Sequence, residues 1–326
     1  MTDTVAAETP TVLAPEDPNA IGRMLGLLGD EWNLLIVQHA LLGASRYSQF
    51  MSALPISNSV LTSRLRTLVR DGLLTRTVHA STRARTEYLI TGRSRSLWPA
   101  LLSIWEWERN WVTGHHKTLP AMRHLACGSH FAPQLRCNTC RGVVTGSEVA
   151  MSLGPSGTWS RSAPAASTRR RSESDTATRH AGLFPETMSI LGNRWAAALL
   201  VAAFLGTTRF TDFQTQLGAP PSLLAERLQT FCQIGVLTTS PTERSGPERA
   251  AYLLTEKGRA FFPVLTATLQ WAQWWYQAPE GPAVVMTHHD CGSDFTGELA
   301  CDRCAQRLSG EQVHTVAISA AGSGIP

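Results

Sequence analysis

The sequence predicts a mainly α chain with small β wings, an α+β class, built as two tandem copies of one unit. Three observations predict this. The pattern His-x2-Cys-x9-Cys-x2-Cys occurs twice, as His124, Cys127, Cys137 and Cys140 and again as His288, Cys291, Cys301 and Cys304, at a constant offset of 164. Upstream the offset persists, pairing Thr91 with Thr255, Arg95 with Arg259, Pro99 with Pro263, Trp107 with Trp271 and Trp111 with Trp275. It falls to 163 for Gly29 and Gly192, Trp32 and Trp195, Arg46 and Arg209, Phe50 and Phe213, Arg64 and Arg227, and Gly72 and Gly235. One residue has therefore been gained between about positions 236 and 251, where a loop is expected. Within each copy, helical apolar spacing of three or four gives way to one pair of short strands and then returns.

Composition sets the outer limits. A chain of 326 residues suits about two domains, and 43% apolar content is ordinary for a globular protein. No run of about 18 apolar residues occurs, and the start, MTDTVAAETPTVLAPEDPNA, lacks a basic segment followed by an apolar one. The expectation is a cytoplasmic protein with no membrane association. Six of the seven cysteines fall in the two clusters, and in a reducing compartment such clusters read as metal ligands rather than disulfides. A net charge of +4 is too mild to identify a polyanionic partner by itself.

Element by element, Met24, Leu25, Leu28, Trp32, Leu35 and Ile36 predict a first helix, and Arg46 to Phe50 open a second that ends near Leu54. Ser57, Asn58 and Ser59 supply N-cap candidates for a third, with Leu61, Leu65 and Leu68 as its buried stripe and Asp71-Gly72 as its stop. Leu73–Arg76 and Thr86–Ile90 read as two strands around a polar tip, and a tryptophan-bearing helix follows from about 97 to 113. The second copy repeats this: Phe210 to Leu217, then Leu224 and Leu228, then Gly235-Val236-Leu237, then Tyr252 to Thr255, and a last helix from about 261 to 277. Three helices followed by a two-stranded wing make a winged helix-turn-helix. The expected limits are a disordered tail over 1–18, a winged-helix domain over 19–115 and a zinc-binding module over 116–153. A flexible linker then spans 154–181, a second winged-helix domain 182–278, a second zinc-binding module 279–318 and a tail 319–326. Arg169, Arg170 and Arg171 in the linker read as a solvated trio.

Both units resemble the HxlR type of MarR-like winged-helix regulators. The resemblance rests on Gly-x-x-Trp at Gly29 and Gly192, an arginine-led second helix (Arg46, Phe50; Arg209, Phe213) and Leu-x-x-Arg-Leu on the third (Leu61, Arg64, Leu65; Leu224, Arg227, Leu228). A glycine-led entry to the wing and Tyr-x-Leu/Ile-Thr out of it complete the set, over about 21–113 and 184–277. It implies a transcription regulator that binds double-stranded DNA. Family members are often single-domain homodimers, so two copies in one chain imply an intrachain pseudo-dimer. No cysteine precedes Trp32 or Trp195, and the thiol sensing of some relatives is not carried over.

The residues point the same way. A third helix after a short turn can enter the major groove while the wing reaches the backbone or minor groove. In unit one, Ser57, Asn58, Ser59, Thr62, Ser63, Arg66 and Arg70 lie off the leucine stripe, and with Arg46, Arg64 and the wing residues Arg76, Arg83 and Arg85 they are the candidate DNA contacts. In unit two the candidates are Arg209, Ser222, Arg227, Arg244 and Arg249, but its third helix and wing are charge-neutral where those of unit one are each net +2. Unit one should dominate the salt-sensitive affinity. The rival reading is a protein-interaction module for transcription machinery with DNA contact only through the first winged helix. Further self-association into a homodimer is left open, as are effector and operator.

His plus three Cys suits tetrahedral zinc, and a closed four-ligand site is structural rather than catalytic, so two structural zinc ions per chain are expected. The repeat also selects among histidines: His288 has a partner in His124, whereas His289, His115 and His116 align with Leu125, Pro279 and Glu280. Cys232 aligns with Val69 and reads as a small buried residue; Trp105, Trp107, Trp111, Trp271, Trp274 and Trp275 read as core or interface packing. No phosphate-binding loop, nucleophile motif or paired carboxylates point to an enzyme.

Overall fold

The computed structural model describes residues 9–79, 85–162, 184–240 and 250–316. Its first half runs β1 (Thr11–Val12), α1 (Ala20–Leu27), α2 (Glu31–Leu41), α3 (Tyr47–Ala53), α4 (Asn58–Arg70), β2 (Leu74–His79), β3 (Arg85–Ile90), α5 (Gly92–Arg95), α6 (Trp98–Trp111), α7 (His115–Thr118), β4 (Ala121–His124), β5 (Pro133–Cys137), β6 (Val149–Leu153) and α8 (Trp159–Ser162). The second half repeats most of it: α9 (Pro185–Leu191), α10 (Arg194–Phe204), α11 (Phe210–Leu217), α12 (Pro221–Gln233), β7 (Leu237–Ser240), β8 (Ala251–Leu254), α13 (Glu256–Arg259), α14 (Phe262–Trp275), β9 (Tyr276–Gln277), β10 (Val284–His288), β11 (Gly297–Cys301) and β12 (Val313–Val316).

Each unit is a winged helix. In unit one, Phe50, Leu61, Leu65 and Leu68 are buried, and β2 and β3 pair antiparallel from Leu74↔Ile90 to His79↔Arg85. In unit two, Phe213, Leu224, Leu228 and Phe231 play the same part, and β7 and β8 pair from Leu237↔Leu254 to Ser240↔Ala251. The two registers confine the gained residue to the stretch between Ser240 and Ala251, of which 241–249 lie outside the described residues. The threonine that ends each wing has a structural reason: Thr91 Oγ1 donates to Gly72 O (2.9 Å) and Thr255 Oγ1 to Gly235 O (2.5 Å), tying strand exit to strand entry. Each also caps the short helix that follows, accepting from Ser94 N and Gly258 N.

The expected single first helix is two. The chain breaks after Leu28, and Asp30 caps α2 by accepting from Asn33 N at 3.2 Å; Asn193 does the same for α10, accepting from Trp195 N at 2.9 Å. The cause is contact between copies: Asp30 and Asn193 form an antiparallel bridge, and a Cβ on Gly29 would lie 2.9 Å from Arg194 Cα. The apolar stripe stays in phase across the break, so periodicity alone could not reveal it.

Parts of the expected tail and linker are also folded. Leu13 is buried, and Thr11–Val12 pairs parallel with Tyr276–Gln277. The buried Asn19 side chain donates to Ser156 O and Ser162 Oγ, both at 2.7 Å, and Arg161 Nε donates to Asp17 O at 2.8 Å. These stretches are held by a few specific hydrogen bonds rather than by an apolar stripe, so composition read them as solvated. Residues 1–8, 163–181 with Arg169 to Arg171, and 319–326 lie outside the described residues.

The units meet along α6 and α14 in near two-fold fashion. Trp107 Nε1 donates to Lys257 O (3.0 Å) and Trp271 Nε1 to Arg93 O (2.8 Å), and these four residues are equivalent pairs in the repeat. Trp107 also meets Phe261 edge-on at 5.0 Å, so these two tryptophans are interface packing as expected. One apolar core therefore runs through both units. Trp274 departs from the expectation, being 64% exposed, and Cys232 is half-buried rather than buried.

Candidate nucleic-acid interface and metal centres

The exposed face of α4 is built by its buried one. With Leu61, Leu65 and Leu68 inward, Ser57, Asn58, Ser59, Ser63, Arg66 and Arg70 are exposed and Thr62 is half-exposed. Ser57 caps the helix through Val60 N, and Tyr47 Oη donates to Asn58 O and Oδ1 at 3.1 and 3.0 Å. That pins the first helical residue while leaving the Asn58 amide NH2 as a donor. In unit two the equivalents of Tyr47 and Asn58 are Phe210 and Pro221, so neither half of this arrangement exists there. Proline instead fixes the first turn of α12.

The arginines divide into two groups. Arg64 turns inward, with Nη2 2.7 Å and Nε 3.0 Å from the two oxygens of Asp30, and its equivalent Arg227 is also largely covered, with Nη2 3.3 Å from Glu226. Both are half-buried and engage a carboxylate, whereas Arg66 and Arg70 of α4 are exposed. Arg46 is exposed with Nε 3.4 Å from Glu87, and Arg70 has Asp71 at 2.8 Å. Arg66 and Arg76 are exposed and have no ion pair among the described residues. In unit two Arg209 and Ser222 are exposed. Arg83, Arg244 and Arg249 lie outside the described residues, as does the side chain of Arg85.

The cysteine clusters hold the main correction. All eight expected ligands come together, but each set of four is shared between the copies: His124 and Cys127 with Cys301 and Cys304, and Cys137 and Cys140 with His288 and Cys291. In the first set His124 Nδ1 is 3.5 Å from Cys127 Sγ and 3.4 Å from Cys304 Sγ, and Cys127 and Cys301 are 3.9 Å apart. In the second, His288 Nδ1 is 3.3 Å from Cys291 and 3.4 Å from Cys140, and Cys137 and Cys291 are 4.0 Å apart. A tetrahedral zinc with the usual bond lengths requires donor separations of about 3.5–3.8 Å, so both sets fit such an ion.

Strand geometry dictates the exchange. Five extended residues of β5 carry Cys137 about 16 Å away from the His124 turn. β5 pairs antiparallel with β11 of the other copy, Leu135 opposite Leu299, which puts Cys137 opposite Gly297 beside the His288 turn. The flanking ladders are exchanged too, His124 opposite Val313 in β4–β12 and His288 opposite Val149 in β10–β6. The two expected zinc-binding modules are thus one interleaved body. Backbone N–H of Ser129 and Ser293 stabilises the thiolates of Cys127 and Cys291, whose pKa falls to about 6. Burial pushes the Cys301 thiol up. His289 is exposed and outside the set, and His115 Nδ1 lies 2.9 Å from buried Glu108 Oε2, so both are bystanders as expected.

Several known proteins are similar to parts of this chain. An uncharacterized HTH-type transcriptional regulator of Mycobacterium tuberculosis is 33% identical over 126 residues, covering 39% of this chain and 79% of the relative. The HTH-type regulator YvaP of Bacillus subtilis, also uncharacterized, is 35% identical over 91 residues, 28% of this chain and 84% of its own. The crystal structure of PA1607, a proposed transcription factor, shares 30% identity over 44% of this chain and 99% of that one, with a TM-score of 0.38. No described helix is long and apolar enough to cross a membrane. The model of the HxlR-like helix-turn-helix matches residues 27–116 and 190–280, more than half the chain, and the protein belongs to that family.

Proposed function

We propose that this protein, a DNA-binding transcriptional regulator of HxlR type, grips one duplex with both winged helices as an intrachain pseudo-dimer, in the cytoplasm, with two structural zinc ions. The observation that carries this is the near two-fold seam at Trp107 and Trp271, which joins two family domains as a homodimer would join two chains. Unit one supplies most of the base and phosphate contact through Asn58, Ser59, Ser63, Arg66 and Arg76, with Ser57, Thr62, Arg70, Arg46, Arg83 and Arg85 around them. Unit two contributes through Arg209, Ser222, Arg244 and Arg249. Zinc at each site would tie the two copies together and hold the thiolates in their ionised form, supplying structure rather than chemistry.

Neutral charge on the α12 face favours a second reading, in which unit two docks on protein of the transcription machinery and unit one alone holds DNA. Selection of binding sequences from a random duplex pool separates the two. Enrichment of two unequal, spaced half-sites supports the pseudo-dimer; a single enriched half-site supports the second reading, and no enrichment contradicts both.

A further inference from the structure

The far end of α4 is held from the other copy. Asp71 closes the helix and Gly72, at φ +72°, turns the chain into the wing. The Asp71 carbonyl, at the negative end of the helix dipole, accepts from Arg93 Nη1 at 2.9 Å and from Tyr276 Oη at 3.4 Å. Arg93 is only 7% exposed, and its guanidinium also donates to Tyr276 Oη at 3.2 Å and to Thr11 Oγ1 at 3.1 Å while lying 5.0 Å from the rings of Trp275 and Tyr276. A residue of unit one thus ties the end of its own exposed helix to α14, β9 and β1. Arg23 faces the same place, 3.9 Å from the Asp71 carboxylate and 5.8 Å from the centre of the Tyr276 ring.

The repeat shows that packing does not require this arrangement. Asp71, Arg93 and Tyr276 have Ile234, Lys257 and Val112 as their equivalents. Lys257 keeps the ring contact, 5.4 Å from the Trp107 ring, but its ammonium pairs with Glu186 of its own unit, and Val112 has no hydroxyl to offer. The seam closes there as well, through the Trp107 indole on Lys257 O. What Arg93 and Tyr276 add is a link from the second unit to the helix that carries Asn58 and Arg66.

We infer that Arg93 and Tyr276 are positioning residues that set the tilt of α4 from the second unit, and so set the spacing between half-sites that the protein accepts. The 13 residues of α4 span about 20 Å at ~1.5 Å per residue. A tilt of ~10° about the clamped end moves Asn58 by ~3.5 Å, about one base step. The leucine stripe holds α4 within its own unit, while the clamp fixes its relation to the other. The inference rests on the reading in which both winged helices grip one duplex.

Tyr276→Phe tests it, keeping the ring beside Arg93 and removing the hydroxyl. In the full-length, metal-loaded variant without DNA, amide hydrogen exchange at Asp71, Gly72 and Leu73, which bond to Thr67 O, Val69 O and Leu68 O, should quicken about tenfold. Exchange at the equivalent residues 234–236 should not change. Parent and variant are then titrated with a duplex carrying the two selected half-sites, with versions whose spacer is one base pair longer or shorter, and with the unit-one half-site alone. The parent should prefer the best spacing at least about tenfold, and Tyr276→Phe should cut that preference to about threefold or less. Affinity for the single half-site should be unchanged, a pattern that general loss of structure would not produce. Unchanged exchange at residues 71–73, a spacing preference kept in the variant, or equal weakening on every duplex would each overturn the inference and leave the two-winged reading standing. A parent indifferent to spacing would overturn both.

Discussion

The seam between the two copies has stayed largely symmetric while their outward faces have not. At the seam Trp107 and Trp271 make the same hydrogen bond to equivalent carbonyls, Asp30 bridges Asn193, and a Cβ on Gly29 or Gly192 would crowd the other copy, at 2.9 Å from Arg194 Cα and 3.2 Å from Glu31 Cβ. On the outward faces Asn58, Arg66 and Arg76 stand where unit two has Pro221, Gln229 and Thr239. A seam residue packs against its own equivalent region, so a change in one copy must suit the other. An outward residue meets only its ligand. Symmetry therefore marks what holds the molecule together, and asymmetry marks what each half reads.

The largest expected effect concerns the metal sites, since a structural zinc contributes on the order of 10–16 kcal/mol of apparent binding free energy in small domains. Cys127→Ser and Cys301→Ser should each remove one metal ion, and the double variant should still retain the other. Cys127→Ser combined with Cys137→Ser should lose both. Metal analysis by mass spectrometry decides: sites closed within each repeat would give the opposite pattern for the two double variants.

Breaking the seam should come next. Trp107→Ala or Trp271→Ala removes a buried indole with its hydrogen bond, and either should cost about 3–5 kcal/mol of stability in denaturant unfolding. Similar losses from the two would support the symmetry; a large loss from one alone would break it.

On the outward faces the comparison predicts inequality. Arg66→Ala should weaken binding to selected DNA by about 1–3 kcal/mol if it reads a base, or lower the salt slope by about one if it contacts phosphate. The equivalent change, Gln229→Ala, should do little. Equal losses in filter binding or anisotropy titrations would show that formal charge is a poor guide to contact.

A smaller effect tests a place where the seam itself is unequal. Glu108 is fully buried, with Oε1 accepting from Thr187 N at 2.7 Å, while its equivalent is Ala272. Burial raises its carboxyl pKa above the usual value. A raised acid pKa means that the folded state holds the proton more tightly. Its contribution is therefore most favourable below the unfolded pKa and is lost as pH rises through the folded one. Glu108→Gln should flatten the decline in thermal stability on going from about pH 4 to neutrality; an unchanged pH profile would exclude the carboxyl as its source.

Much of this was legible in the sequence because the duplication pairs positions. Leu61, Leu65 and Leu68 declare the α4 core face by spacing, and the eight candidate metal ligands declare themselves by recurrence. Their grouping did not, since a repeated motif satisfies the same spacing whether closed within a copy or across copies. Only the straight run of β5 against β11 decides. The helix break at Gly29, the pairing of Thr11–Val12 with Tyr276–Gln277 and the inward turn of Arg64 were hidden for a related reason: each depends on a partner remote in sequence. Trp274 sits in sequence among tryptophans that pack, and only its exposure separates it from them.

A pseudo-dimer must engage one duplex with both winged helices. Hydroxyl-radical footprinting of the full chain on selected DNA should show two protected segments on one face, about one helical turn (~34 Å) or a multiple of it apart. Arg66→Ala should erase the stronger. Protection of a single segment, unchanged when Arg209 and Ser222 are replaced by Ala in the full chain, would contradict it.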